Sequence, residues 1–289
     1  MQVTSTKNKL QVERRGRLFV MRAVTLMTLA ILSPGSRAQV TRFAPVKKGS
    51  ASSISVRDLT IPGKALDEYN RGVKKLDKRD PKGSLRHFET ALQMYPDYYE
   101  AQYGEGVAQL HLNSDDKAQE AFQKAIDMSG GLYARAQFGY ALVLSRKGRA
   151  AEAERVARSG LETEPNVSEG HLVLGLALLK LHRTDDAVKS AREALALNDS
   201  NSPKAFLILS DAEAVKGNYD AQIRYLDTYL KLRPHDPNKM MLQSAREVAK
   251  RLAAKSGPGS KPGDTVAADA KKISEGDSCT APCQPQHPF

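Results

Sequence analysis

The stretch KAQEAFQKAIDM, Lys117 to Met128, decides the fold. It holds Ala118, then Phe122 four places on, then Ala125 three places after that. Offsets of four and three stack side chains along one face of a helix, because 3.6 residues complete a turn. Small, large, small along one face describes a packing seam. The same pattern returns at intervals of 34 or 35 residues, as SLRHFETALQMYP from Ser84, AERVARSGLETEP from Ala153, AVKSAREALALND from Ala187 and QIRYLDTYLKLRP from Gln222. Pro96, Pro165 and Pro234 close three of the five copies.

Twelve residues before each copy stands another small residue: Gly72, Gly106, Ala141, Gly175 and Ser210. Between the two lies a break, KRDPKG, LNSDDK, RKGRA, LHRTDD or VKGNYD, rich in the Gly, Asp, Asn and Lys that end one helix and cap the next. Each unit therefore reads as helix, short turn, helix. Such a unit cannot bury its apolar stripe alone, so neighbours must stack into one continuous core.

In these residues the chain resembles the tetratricopeptide repeats, whose 34-residue unit has a small residue at position 8, Gly near 15, Ala at 20, a bulky residue at 24, Ala at 27 and often Pro at 32. On that frame the units run 65–98, 99–133, 134–167, 168–202 and 203–236, covering about 172 residues. The resemblance implies an all-α, right-handed α-solenoid of five repeats. Residues 237–255, with Met241, Ala245, Val248 and Leu252 on one face, read as a C-terminal capping helix over the open end. Position 15 departs from Gly at Arg79, Asn113 and His182, and the last unit carries Gln222 and Tyr229 where small residues are usual. Arg71, Lys75, Glu105 and Gln109 occupy positions 7 and 11, normally apolar, so looser packing is expected at the N-terminal end.

The formal charge is +11, but 7 of the 44 basic residues fall within residues 1–38 against Glu13 alone. The remaining excess is spread thinly, with no basic run interleaved with aromatics, so nucleic acid is not the expected partner. Residues 1–38 have the anatomy of an export signal: basic residues up to Arg22, the apolar run AVTLMTLAIL from Ala23 to Leu32, and Ser36 and Ala38 suited to cleavage after Ala38. Met21 is an alternative start, and Arg17 spoils a twin-arginine reading of Arg14-Arg15. The apolar run is short for a bilayer span, which leaves an uncleaved anchor as the lesser alternative. The expected location is the periplasm or outside, with no membrane span once the signal is removed. Residues 39–64 read as a linker with an extended piece at Ile54 to Ile61, and residues 256–289 as a disordered tail. Cys279 and Cys283 in that tail allow a small disulfide loop or two incidental thiols.

No motif for chemistry appears. The six histidines have no metal-ligand spacing, GYALVLSRKGRA lacks the order of a phosphate-binding loop, and neither GHLVLG nor GEGVAQ follows a strand. Asp115-Asp116 and Asp185-Asp186 suit helix N-termini. No cofactor, metal or enzymatic activity is expected; a protein or peptide partner is. In the tetratricopeptide family the first helices line a concave face through positions 2, 5, 9, 12 and 13. The resemblance thus implies an apolar ladder of Tyr69, Val73, Tyr103, Val107, Phe138, Leu142, Leu172, Leu176 and Leu207, flanked by Arg135, Arg146, Lys180 and Lys204, as the candidate partner-binding residues. The same stripe also reads as ordinary core between adjacent helices. The chaperone-type members hold a carboxylate with Lys at position 5 and Asn at 9; Tyr69 and Val73 stand there instead, so chaperone-tail binding is not expected. Two further readings stay open: a cell-envelope assembly or secretion accessory factor, and an anion or nucleic-acid binder using the late basic residues.

Overall fold

The computed structural model describes residues 61–197 and 202–256, with side chains as far as residue 254. The export signal, its cleavage site, the extended piece before Ile61 and the cysteine tail lie outside the described residues. Five helix pairs follow in order: α1 (Gly63–Asp77) with α2 (Pro81–Met94), α3 (Tyr99–His111) with α4 (Asp115–Met128), α5 (Ala134–Arg146) with α6 (Ala150–Thr163), α7 (Ser168–Lys180) with α8 (Thr184–Ala196), and α9 (Ala205–Lys216) with α10 (Tyr219–Leu232). A 3-10 turn, Ser202–Lys204, leads into α9, and α11 (Lys239–Ser256) closes the array. Among the described residues there is no strand. Each helix packs on the next, and the first helices of adjacent pairs also touch in series. This is an all-α solenoid.

The turns explain why the units repeat. Position 15 is left-handed at all five: φ is 80° at Gly148 and 77° at Gly217, but also 60° at Arg79, 56° at Asn113 and 59° at His182. The N–H of the following residue reaches back to a carbonyl five residues earlier, Asp80 to Lys75, Ser114 to Gln109, Arg149 to Leu144, Arg183 to Leu178 and Asn218 to Glu213, at 2.9 to 3.0 Å. That bond satisfies a carbonyl the helix end leaves open and turns the chain into the second helix. The geometry is kept where the glycine is not. Asp80 and Asn218 then cap the following helices, accepting from Gly83 N at 2.8 Å and Ala221 N at 3.3 Å.

Positions 8, 20 and 27 all lie in the interior: Gly72, Gly106, Ala141, Gly175 and Ser210 are buried, as are Ser84, Ala118, Ala153, Ala187 and Gln222 and the position-27 residues from Ala91 to Tyr229. Glycine there admits rings. A Cβ on Gly72 or Gly104 would fall 2.6 or 2.7 Å from Phe88, and one on Gly106 or Gly139 would fall 2.6 Å from Phe122. In the third and fourth repeats the large residue changes sides. Ala157 and Ala191 replace Phe88 and Phe122, while Val173 and Ile208 occupy the places equivalent to Gly104 and Gly139, all of them buried.

The first pair starts two residues before Ala65, because Pro62 suits the entry and its carbonyl accepts from Leu66 N at 3.1 Å. The closing helix is rotated by about one residue from the expected phase: Leu242 and Ala249 are the fully buried positions, with Met241 and Ala245 packed beside them. Tyr229, the bulky residue at the last position 27, meets this cap and not a sixth repeat. Its hydroxyl donates to Asp236 at 2.7 Å, and Asp236 also accepts from Asn238 N at 2.8 Å. The unusual residue thus fixes the turn into α11.

Candidate functional site

The first helices α1, α3, α5, α7 and α9 place the candidate binding residues side by side. Their position-5 rings are packing groups. Tyr69 lies 5.9 Å from Phe88 and 5.2 Å from Tyr98, and Tyr103 lies 5.6 Å from Phe122 and 5.4 Å from Tyr133. Phe138 fills the space left by Gly160 and Gly170, where a Cβ would fall 2.5 and 2.6 Å from the ring. Val73, Leu172 and Leu207 belong to the same buried clusters, and Leu176 is 1% exposed. Of the apolar ladder, Val107 and Leu142 keep partial exposure. The spacing reading could not tell inward from sideways, because a first helix is contacted on both flanks by other first helices and from behind by second helices.

The polar positions behave differently. Glu100, Arg135, Glu169 and Lys204 all stand at position 2, all partly exposed, and their charges alternate along the row. Burial works against the charged guanidinium of Arg135, but Tyr103 and Tyr133, then Glu169 and Glu164, outweigh it and raise its ordinary value. Burial pulls the His111 imidazole below its ordinary value, and Lys204, three repeats away, adds to the effect. Burial likewise lowers Lys180, whose ammonium donates to the Ser145 carbonyl at 2.7 Å. Arg146 donates to Asp115 at 3.0 Å and to Asn113 at 3.3 Å. Arg146 and Lys180 are thus already committed within the protein, whereas Arg135 and Lys204 keep partial exposure.

Asp211 is a residue the spacing did not single out. It continues the row of Val73, Val107, Leu142 and Leu176, is 0% exposed, and neither carboxyl oxygen has a hydrogen-bond partner. Burial pushes its carboxyl well above the usual carboxylate range. The signal was present in the sequence as the one acidic residue at position 9. Among the described residues no three His, Cys, Asp or Glu side chains gather as a metal site, and no helix is long and apolar enough to cross a membrane.

The family profile described as tetratricopeptide repeat matches residues 69–131, 116–166 and 172–237. The chain belongs to the tetratricopeptide repeat family, a fold that generally serves protein–protein contact. Solved structures share the architecture. TTC0263, a thermophilic tetratricopeptide protein of Thermus thermophilus, is 22% identical with a TM-score of 0.55, covering 65% of this chain and 99% of its own. The Cut9–Hcn1 hetero-tetramer of APC/C gives 18% identity and a TM-score of 0.59 over 77% of this chain and 42% of that one. PilW, a widely conserved type IV pilus biogenesis factor, gives 19% and 0.52 over 73% and 89%. None of the curated proteins matches this chain in sequence.

Proposed function

We propose that the protein is an exported, non-catalytic scaffold that holds a segment of a protein partner along the inner side of α3, α5, α7 and α9. The alternating row of Glu100, Arg135, Glu169 and Lys204, beside the partly exposed Val107 and Leu142, carries this reading. A row of half-buried charges of both signs selects a guest by complementary charge order, and mismatched pairs there oppose the wrong guest. The apolar contribution is small, so the guest is held by polar contacts and shape, with Tyr69, Tyr103, Phe138, Leu172, Leu176 and Leu207 supporting the face from beneath.

The test is selection of displayed random peptides on the full chain, followed by binding of the enriched sequences to Arg135→Glu combined with Glu169→Arg. Loss of roughly tenfold or more in affinity is expected, a change of about 1.4 kcal/mol. Arg149→Glu, on the turn edge, should leave binding within about twofold. Equal binding by both variants would remove the inner face from consideration.

The place of action rests on residues 1–38, which read as an export signal. On that basis the second reading is an accessory to cell-envelope assembly or secretion, a role that the fold shared with a pilus biogenesis factor accommodates. Sequencing the N-terminus of the protein recovered from the envelope should return Gln39 as the first residue; Met1 or Met21 would mean that the segment is kept.

A further inference from the structure

We propose that the turn joining α1 to α2 is a second docking surface, one that takes an acidic, extended segment of a protein partner independently of the inner face. The argument begins with a rule the array follows elsewhere. At position 14, Lys147 of the third repeat reaches back to Asp116 on the preceding repeat at 2.7 Å, and Lys216 of the fifth reaches back to Asp185 on the fourth at 2.7 Å. The lysine of one repeat is thus completed by the first-turn carboxylate of the repeat before it. Lys78 holds the same position in the first repeat, before which no repeat lies among the described residues.

The neighbours of Lys78 strengthen the case. Residues 74–86 carry six cationic side chains and two carboxylates. Lys75 is paired with Asp80 at 3.0 Å, and Asp80 also serves as the α2 cap. Lys74, Lys78, Arg79 and Lys82 are exposed, and among the described residues none makes an ion pair or side-chain hydrogen bond. At the later turns the nearby arginines, which stand at other positions of the unit, are occupied: Arg146 by Asp115, Arg149 by Glu152, and Arg183 by Glu154 and Asp186.

Arg79 supplies an independent observation. It holds a φ of 60° at a position where the third and fifth repeats have glycine. Left-handed backbone is costly for a residue with a Cβ, a cost that His182 also carries; Arg79 differs in standing among three other exposed cations. Asn113 at the same position differs, because its side chain accepts from Arg146.

The chemistry favours an acidic protein segment. Residues 74–86 contain no aromatic side chain on which a base could stack. Leu76 is 3% exposed and the partly buried Leu85 is packed against the core, so the patch offers no large apolar group that stands free to insert among lipids. Residues 39–62, the stretch that leads into the patch, contain one carboxylate, Asp58, too few to complete four cations from the adjoining segment. A guest with Asp or Glu in close succession, like the Asp115-Asp116 and Asp185-Asp186 pairs that serve inside the array, fits the spacing of the unfilled sites.

The experiment measures fluorescence anisotropy of a labelled sixteen-residue peptide of alternating Glu, Asp, Gly and Ser, with the full chain at low salt. Binding is expected to weaken tenfold or more when Lys74, Lys78, Arg79 and Lys82 are each changed to Glu, and to fall as salt shortens the range of the charges. Arg149→Glu with Arg183→Glu should alter it less than about twofold. Circular dichroism should show both variants as helical as the parent. The fourfold variant keeping its affinity would overturn the proposal. So would equal or stronger retention of phosphatidylglycerol vesicles or duplex DNA that the same four changes abolish. Binding at the inner face plays no part in either result, so Arg135→Glu with Glu169→Arg should leave this peptide bound.

Discussion

The two halves of the array solve one packing problem with opposite allocations of volume. In the first two repeats the second helix supplies a phenylalanine, Phe88 or Phe122, and the flanking first helices supply pairs of glycines. Tyr69, Tyr98, Tyr103 and Tyr133 extend these aromatic contacts, at centroid separations of 5.2 to 5.9 Å. In the later repeats the second helices are trimmed to Ala157 and Ala191, and the first helices carry the bulk. Leu172 to Leu179 are eight successive buried positions in α7, apolar apart from Gly175 at the seam, and Ala205 to Ala212 are buried throughout α9. A helix with neighbours on every side is apolar all round, as α7 is where it meets α5, α6, α8 and α9. Positions 7 and 11 follow suit, with Leu174 and Leu178 buried in the fourth repeat but Arg71 and Lys75 turned to solvent in the first. The array therefore has a fixed backbone rule and two side-chain solutions to it.

The largest expected effect tests that allocation directly. Phe122→Ala should destabilise by about 3 to 5 kcal/mol in chemical unfolding, since both flanking positions are glycine and cannot fill the space. Adding Gly139→Val, which imitates the arrangement at Ala157 and Val173, should recover part of the loss; a doubly altered protein no better than the single would show that the two halves are not equivalent solutions. Next, Gly106→Ala should cost about 1 to 3 kcal/mol, because the new Cβ would meet the Phe122 ring. Gly175→Ala should cost less than about 1 kcal/mol, its nearest neighbour being Ile208 Cδ1 at 3.3 Å, whereas Gly175→Leu should cost as much as the Gly106 change. Equal costs for the two alanines would erase the distinction between the halves.

Asp211 is the exception within the aliphatic half, and its replacement should sharpen the contrast. Asp211→Leu, matching Leu176 one repeat earlier, should stabilise by about 1 to 3 kcal/mol by removing an unpartnered buried polar group. The effect must depend on pH. A carboxyl whose folded value is raised holds its proton in the native state while the unfolded chain releases it, so native stability is greatest below the unfolded value and declines as pH rises through the folded one. The gain from Asp211→Leu is therefore expected to grow between pH 5 and pH 8 in parallel melts; a gain independent of pH would mean that the carboxyl is ionised inside. The smallest effects belong to the turns. Arg79→Gly and His182→Gly should each stabilise by up to about 1 kcal/mol, relief of left-handed strain being partly offset by a freer unfolded chain. Asn113→Gly should gain nothing, because it also removes the acceptor for Arg146.

Much of this was legible in the residues. The recurrence of small side chains at positions 8, 20 and 27 located every helix pair, because close approach of backbones leaves little freedom in residue choice. The left-handed turn at Arg79, Asn113 and His182 was less visible, since its glycine signature survives only at Gly148 and Gly217. The packing role of Tyr69, Tyr103 and Phe138 was not legible: a one-dimensional period names a face but not what covers it, and covering depends on Gly160, Gly170, Phe88 and Phe122 from other helices. For the same reason the burial of Asp211, the lone polar residue of its row, was not legible until its surroundings were known. Nor did residue type at positions 7 and 11 foretell burial: Arg71 and Lys75 face water beside Glu68 and Asp80, whereas Glu105 is half-buried and Gln109 buried.

The change of sides between Phe122 with Gly139 and Ala191 with Ile208 has a genetic consequence. Tandem units grow by copying and recombining, and a copy survives only where its edges match what it lands beside. The fourth unit pasted after the second would drive Val173 into the Phe122 ring; the third pasted after the fourth would leave Gly139 facing Ala191 across a void. Shape thus confines exchange to units within one half of the array and bars it between the halves, even though every unit obeys the same backbone plan.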